Sequence, residues 1–116
     1  MFVLVVDDDE AAAIAARLIL EGMGFKVDVA RNGVEAVELF GTEAYSLVLM
    51  DWHLPVMDGL ETTGRIRGML RGRMTPIVAT TTQIGLNECR RAGMDDLVPK
   101  PFTLENLKVV TTRWTC

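Results

Sequence analysis

The chain has 116 residues, is 49% hydrophobic and 24% charged, and carries a formal net charge of −4. That is one domain's length with enough apolar material for a layered core, which excludes intrinsic disorder. No run of about 18 apolar residues is present to span a membrane, and the acidic balance argues against generic nucleic-acid binding.

Phe2–Val6 is a short β-rich apolar run that ends abruptly in Asp7-Asp8-Asp9-Glu10. The pattern from Ala11 to Gly22 predicts a helix with Ile14, Leu18 and Ile19 on its apolar face and Gly22 and Gly24 ending it. Val27–Ala30 reads as a second strand, Asn32-Gly33 as a turn, and Val34–Phe40 as a second helix. Ser46–Met50 forms a third strand running straight into Asp51, and Gly59–Arg71 a third helix weakened by Gly64 and Gly68. Pro76–Thr80 is a fourth strand, a short helical piece covers Leu86–Ala92, Leu97–Val98 is a fifth strand, and a last helix runs from Thr103 to Trp114. Five apolar strands, each followed by a helix, predict a (βα)5 architecture: an α/β domain with a parallel sheet covered on both faces by right-handed crossovers. Residues 1–116 contain no repeat, low-complexity tract or linker and read as a single domain.

Residues 1–61 hold three basic and twelve acidic side chains and residues 62–116 nine basic and four acidic, so the halves bear −9 and +5. The basic residues Arg65, Arg67, Arg71 and Arg73 on and after the third helix read as a solvated face. Cys89 and Cys116 make neither a metal-ligand spacing nor a disulfide framework, and no basic segment precedes the first apolar run as in a signal peptide. The expected location is the cytoplasm.

In an open parallel sheet the functional crevice lies beyond the carboxyl ends of the strands. Asp7 and Asp8 end the first strand, Asp51 the third, and Thr80-Thr81 the fourth, while Lys100 follows the fifth. Three clustered carboxylates repel one another unless a cation relieves them, and oxygen donors with open water positions suit Mg2+. Asp51 could then act as a nucleophile on phosphorus, with Lys100 and the Thr81 hydroxyl spreading the charge on the phosphoryl oxygens. A single aspartate after a strand is commonly just a helix N-cap, and Asp9 fits that description; four charged groups at three strand ends do not.

These residues resemble the response-regulator receiver domain of two-component signalling over essentially the whole chain. The resemblance is carried by Val5-Val6-Asp7-Asp8, by Met50-Asp51-Trp52-His53-Leu54-Pro55-Val56-Met57-Asp58-Gly59, by Thr81 five residues after Pro76, by Gly93-Met94-Asp95-Asp96, and by Lys100-Pro101-Phe102. It implies a flavodoxin-like three-layer sandwich with strand order 2-1-3-4-5. It implies that Asp51 accepts a phosphoryl group from a histidine kinase or histidine phosphotransfer domain, assisted by Thr81 and Lys100. It further implies a Mg2+ ion, with Mn2+ as a substitute, held by Asp8, by Asp7 mainly through water, by Asp51 and by the backbone carbonyl of His53. The Lys100–Pro101 bond would be cis, and Asp58-Gly59 would close the loop, with the glycine supplying unusual dihedrals.

The output, in this reading, is a conformational shift of the face built by the fourth helix, fifth strand and fifth helix. It would be read by a protein partner or a fused effector, with no nucleic-acid or membrane partner, and the domain would assist its own phosphorylation and dephosphorylation while turning over no external substrate. The segment from Gly93 to Phe102 is reminiscent of hybrid sensor kinases. Departures from the pattern are Leu97, where the family has a switch aromatic; Thr82, where it has a smaller residue; and a fourth helix about one turn short. His53 and Gln83 flank the acceptor and would tune its dephosphorylation, and Trp52 should sit at the site's rim. The alternatives are a phosphorylation-independent module that keeps only the fold, a flavoprotein, and an aspartyl-phosphate hydrolase. Four consecutive acids stand where a flavin phosphate loop should be, and His53 stands where such a hydrolase needs an aspartate.

Overall fold

The computed structural model describes residues 1–81 and 85–115; the expectations for Thr82, Gln83 and Cys116 lie outside the described residues. In chain order the elements are β1 (Phe2–Val6), α1 (Glu10–Gly22), β2 (Lys26–Ala30), α2 (Gly33–Phe40), β3 (Leu47–Asp51), α3 (Gly59–Arg67), β4 (Ile77–Thr80), α4 (Leu86–Arg91), β5 (Asp96–Val98) and α5 (Leu104–Thr115). The strands form one parallel sheet in the order β2-β1-β3-β4-β5, the flavodoxin-like arrangement expected.

Alternation along the strands builds two cores, because successive side chains leave opposite faces of a sheet. Leu4, Val6, Val48, Met50, Ile77 and Ala79 point one way, onto Ala36 and Phe40 of α2, Ile66 of α3 and Cys89 of α4. Val3, Val5, Leu47, Leu49, Val78 and Val98 point the other way, onto Ala16 and Leu20 of α1 and Leu107 and Val110 of α5. Among the described residues no helix is long and apolar enough to cross a membrane.

Two expectations about the helices are corrected. The buried face of α1 is Ala13, Ala16 and Leu20, with Ile19 packed half-buried beside it as expected, whereas Ile14 and Leu18 are 49% and 66% exposed. Alanines let α1 lie close on the sheet, which leaves Ile14 and Leu18 outward. The third helix stops at Arg67 instead of Arg71, with Gly68 as its cap. The chain then folds back so closely that a Cβ at Gly72 would stand 1.6 Å from the Ile66 carbonyl oxygen.

Arg67 is what holds that return, and it is not part of a solvated face. Its Nε donates to the Gly93 carbonyl (2.9 Å), Nη1 to the Gly72 and Thr75 carbonyls (2.7 Å each), and Nη2 to the Gly93 carbonyl (2.7 Å) and Asp95 Oδ2 (2.8 Å). The neighbouring Asp96 ties the same start of β5 to α5. Its Oδ2 accepts from Arg113 Nη1 (2.7 Å) and Trp114 Nε1 (2.9 Å), and its Oδ1 from the Leu97 N–H (2.8 Å). Burial alone would raise this carboxyl's pKa, but the donors from Trp114, Leu97 and Arg113 outweigh it and hold the group below its ordinary value.

Candidate functional site

Every candidate group stands where a strand stops. β1 and β3 are paired so that Val6 lies beside Met50, and β3 and β4 so that Asp51 lies beside Thr80. The residues just past those positions therefore share one edge of the sheet. Asp9 turns the chain into α1 as its N-cap, accepting from the Ala11 N–H at 3.0 Å. Its own N–H donates to Asp7 Oδ1 at 2.9 Å and fixes that carboxylate. Asp58 caps α3, accepting from the Glu61 N–H at 2.8 Å.

Asp7, Asp8 and Asp51 each present a carboxylate oxygen, and these oxygens lie within 4.8 Å of one another. Asp7 and Asp51 are buried and Asp8 is exposed, so the cluster opens to water on one side. Lys100 Nζ lies 2.7 Å from Asp7 Oδ2 and 3.3 Å from Asp51 Oδ2. The His53 N–H donates to Asp51 Oδ1 at 3.3 Å. Thr81 is buried one residue beyond the Asp51–Thr80 pair, its N–H bonded to the Val98 carbonyl at 3.2 Å. The Lys100–Pro101 peptide is cis, as the resemblance implies.

One ammonium faces three carboxylates, and this imbalance governs the electrostatics. Burial, and then the charge of Asp7, push the Asp51 pKa up to about 6, against the lowering influence of Lys100 and of the His53 N–H. For Lys100, burial works to lower the pKa, but Asp7 and Asp51 outweigh it and raise the value above the ordinary one. Asp7 Oδ2 is buried and makes no aligned hydrogen bond despite the nearby ammonium. A hard divalent cation suits this donor set: all oxygen, surplus negative charge, one side open for water.

The loop from Trp52 to Asp58 shows two features that motif reading missed. Gly59 is needed for close approach and not for unusual dihedrals: its φ is not positive, but a Cβ there would stand 2.2 Å from the Asp51 carbonyl oxygen. Gly59→Ala is therefore expected to push the Asp51 backbone out of place. The loss is about 2 kcal/mol of stability, as for overpacking, with a parallel loss of Mg2+ affinity; urea unfolding and metal titration check both. Val56, a β-branched residue, sits at φ 70 and is 91% exposed, a strained conformation on the loop that follows Asp51.

Trp52 is half-buried against the α2–α3–α4 core, and with Leu60, Glu88 and Arg91 it lines a cleft of about 310 Å3 between α3 and α4. Its backbone carbonyl accepts from the Gly59 N–H at 3.1 Å and so closes the loop that follows Asp51. His53 exposes its side chain. Leu97 is half-buried beside the same core and brings no ring. α4 is six residues long, short as expected.

Comparison with known proteins agrees with this geometry. The family pattern described as "Response regulator receiver domain" matches residues 3–112. The chain is 43% identical to the two-component response regulator ORR41 of rice (Oryza sativa subsp. japonica), covering 97% of this chain and 92% of that protein. It is 40% identical to the sensor histidine kinase GacS of Pseudomonas protegens, over 97% of this chain but only 13% of the kinase. Among solved structures it resembles the receiver domain of sensor histidine kinase PA1611 from Pseudomonas aeruginosa, crystallised with a magnesium ion coordinated in its active-site cleft. That likeness has a TM-score of 0.91 and 34% identity and covers 98% of this chain and 96% of that one.

Proposed function

Because the chain belongs to the response regulator receiver family, the phosphorylation-controlled switches of two-component signalling, we propose that Asp51 is its phosphoacceptor. Asp7, Asp8, Asp51 and the His53 carbonyl would hold Mg2+, and Thr81 and Lys100 would complete the site. The observation that carries this reading is the convergence of three carboxylates and one ammonium at adjoining strand ends. Residues 1–116 act as one domain in this reading, located in the cytoplasm.

An Asp51 carboxylate oxygen attacks the phosphorus of a histidine kinase or phosphotransfer donor. The new O–P bond makes an acyl phosphate as the donor's P–N bond breaks, and the electron pair leaves with the imidazole. Mg2+, when bound, supplies positive charge for the phosphoryl oxygens and removes the repulsion among the three acids. The chain's own part is to present Asp51, to keep Lys100 beside it, and to bring the Thr81 hydroxyl to the phosphoryl group. The product adds roughly −1.5 to −2 charges next to Lys100, which favours the conformer with Thr81 and Lys100 drawn inward. β5 leads into Lys100, and Asp96 at its start ties it to Arg113 and Trp114 of α5. That tie offers a route to the α4–β5–α5 face that does not need an aromatic ring at position 97.

Incubation with Mg2+ and acetyl phosphate, followed by intact mass, tests the reading. One phosphoryl group should be gained, only with Mg2+, and lost in Asp51→Asn. No gain, or a gain that persists in Asp51→Asn, would overturn it.

A further inference from the structure

At the end of the sheet away from the carboxylates, the loop between α3 and β4 carries Leu70-Arg71-Gly72-Arg73-Met74. Leu70 is 91% and Met74 86% exposed. Arg71, Arg73 and, from α4, Arg90 are exposed, and their guanidinium groups have no ion pair or hydrogen bond among the described residues. The acids nearby are committed: Asp95 to Arg67, and Asp96 to Arg113 and Trp114. The adjoining 41–46 loop carries a single acid, Glu43. Arg73, Arg90 and the half-buried indole of Trp114 line an open cleft of about 440 Å3, in which the one carboxylate, Asp95, is paired with Arg67.

We infer that this patch docks reversibly on an anionic phospholipid surface. Two arginines stand between two exposed apolar side chains on this loop, so basic and apolar groups are presented together, the combination that binds at the boundary between anionic headgroups and acyl chains. There Arg71, Arg73 and Arg90 meet phosphates, Leu70 and Met74 reach past them, and Trp114 sits at the level its amphipathic ring favours. An exposed loop tip suits a bilayer better than a protein partner, whose stable interface needs roughly 1,000 Å2 of matched surface. The acidic site does not oppose docking. It lies a sheet length away, roughly 16 Å for five residues, about two Debye lengths at physiological salt. Bound this way, the chain keeps its carboxylate end facing water and accessible. The contact would add a docking role to the exposed Arg71 and Arg73, beyond the solvated face expected of them and against the expectation of no membrane partner.

The test is co-sedimentation of the full chain with vesicles of phosphatidylglycerol in phosphatidylcholine, against phosphatidylcholine alone, at about 0.15 M salt. Binding is expected only to the anionic vesicles, weakened about fivefold by each of Arg71→Ser, Arg73→Ser and Arg90→Ser. The pair Leu70→Ser/Met74→Ser should weaken it at least about fivefold without changing the salt dependence. All variants should still gain a phosphoryl group from acetyl phosphate, which shows that they fold and separates this inference from the phosphoacceptor reading. Absence of binding, or binding indifferent to the arginine replacements, overturns it. So does binding that ignores Leu70 and Met74 and is fully displaced by polyglutamate, which would identify an acidic protein surface as the partner.

Discussion

Asp51→Asn is expected to make the metal-free protein more stable while lowering its Mg2+ affinity on the order of 100-fold, beyond the effect of losing an outer-shell group. The Asp51 carboxylate is ionised at neutral pH beside two others with one ammonium for relief. An amide keeps the shape and removes one repelling charge. The gain is about 1 kcal/mol once water at the open side is allowed for. The pH dependence has a definite sign. Asp51 titrates near 6 when folded against an ordinary value of 3.8, so between those values the folded state binds a proton that the unfolded state has released. Stability from this group is therefore greatest below about pH 4 and is lost as the pH rises through about 6. Mg2+ reverses the trend, since it binds the ionised carboxylate. At 100 times its dissociation constant it adds about 2.7 kcal/mol, roughly a 10 °C rise in melting temperature for a chain of this size. Thermal melts of wild type and Asp51→Asn at pH 5 and 7.5, with and without Mg2+, check all four expectations. A wild type whose melting temperature ignores Mg2+ would contradict the proposed metal site.

Strand order aside, most of the architecture was legible because the strands announce themselves. Val3 to Val6 and Leu47 to Met50 are apolar at every position, as only strands covered on both faces can be, and the acids that follow mark where the crevice must lie. The site was legible for the same reason: Asp7, Asp8, Asp51 and Lys100 are placed by strand ends, which need no distant information. What the sequence hid depends on contacts far along the chain. The end of α3 is set by an arginine whose partners at Gly93 and Asp95 are 26 and 28 residues away. The face of α1 was misjudged because alanine weighs little in a hydrophobic pattern, yet close packing favours it. Tyr45 bonds Asp28 at 2.7 Å across 17 residues, a link that neither residue's neighbours suggest. Gly59 was picked out correctly for the wrong reason, since a carbonyl 2.2 Å from a hypothetical Cβ leaves no trace in the sequence.

Arg67→Ala is expected to destabilise the fold by about 3 kcal/mol, and Arg67→Lys by about 2 kcal/mol, with no direct effect on the acceptor chemistry. All five guanidinium N–H groups are engaged, on three backbone carbonyls and one carboxylate. Truncation leaves the Gly72, Thr75 and Gly93 oxygens short of a donor and Asp95 without its countercharge. Hydrogen bonds involving charged groups are worth about 1.5–3 kcal/mol each when buried. The pair is partly exposed, however, with side chains 22% and 35% accessible, so water recovers much of that total. Lysine keeps the charge but not the planar fork, and one ammonium cannot reach both loops. Arg65 is the control: its contact with Glu61 is 4.0 Å long and well exposed, and Arg65→Ala should change stability by less than about 0.5 kcal/mol. Urea unfolding with an unchanged m-value distinguishes a lost tie from a looser native state. Equal behaviour of Arg65→Ala and Arg67→Ala would mean that the α3–β4 return is held by the Gly72 turn alone.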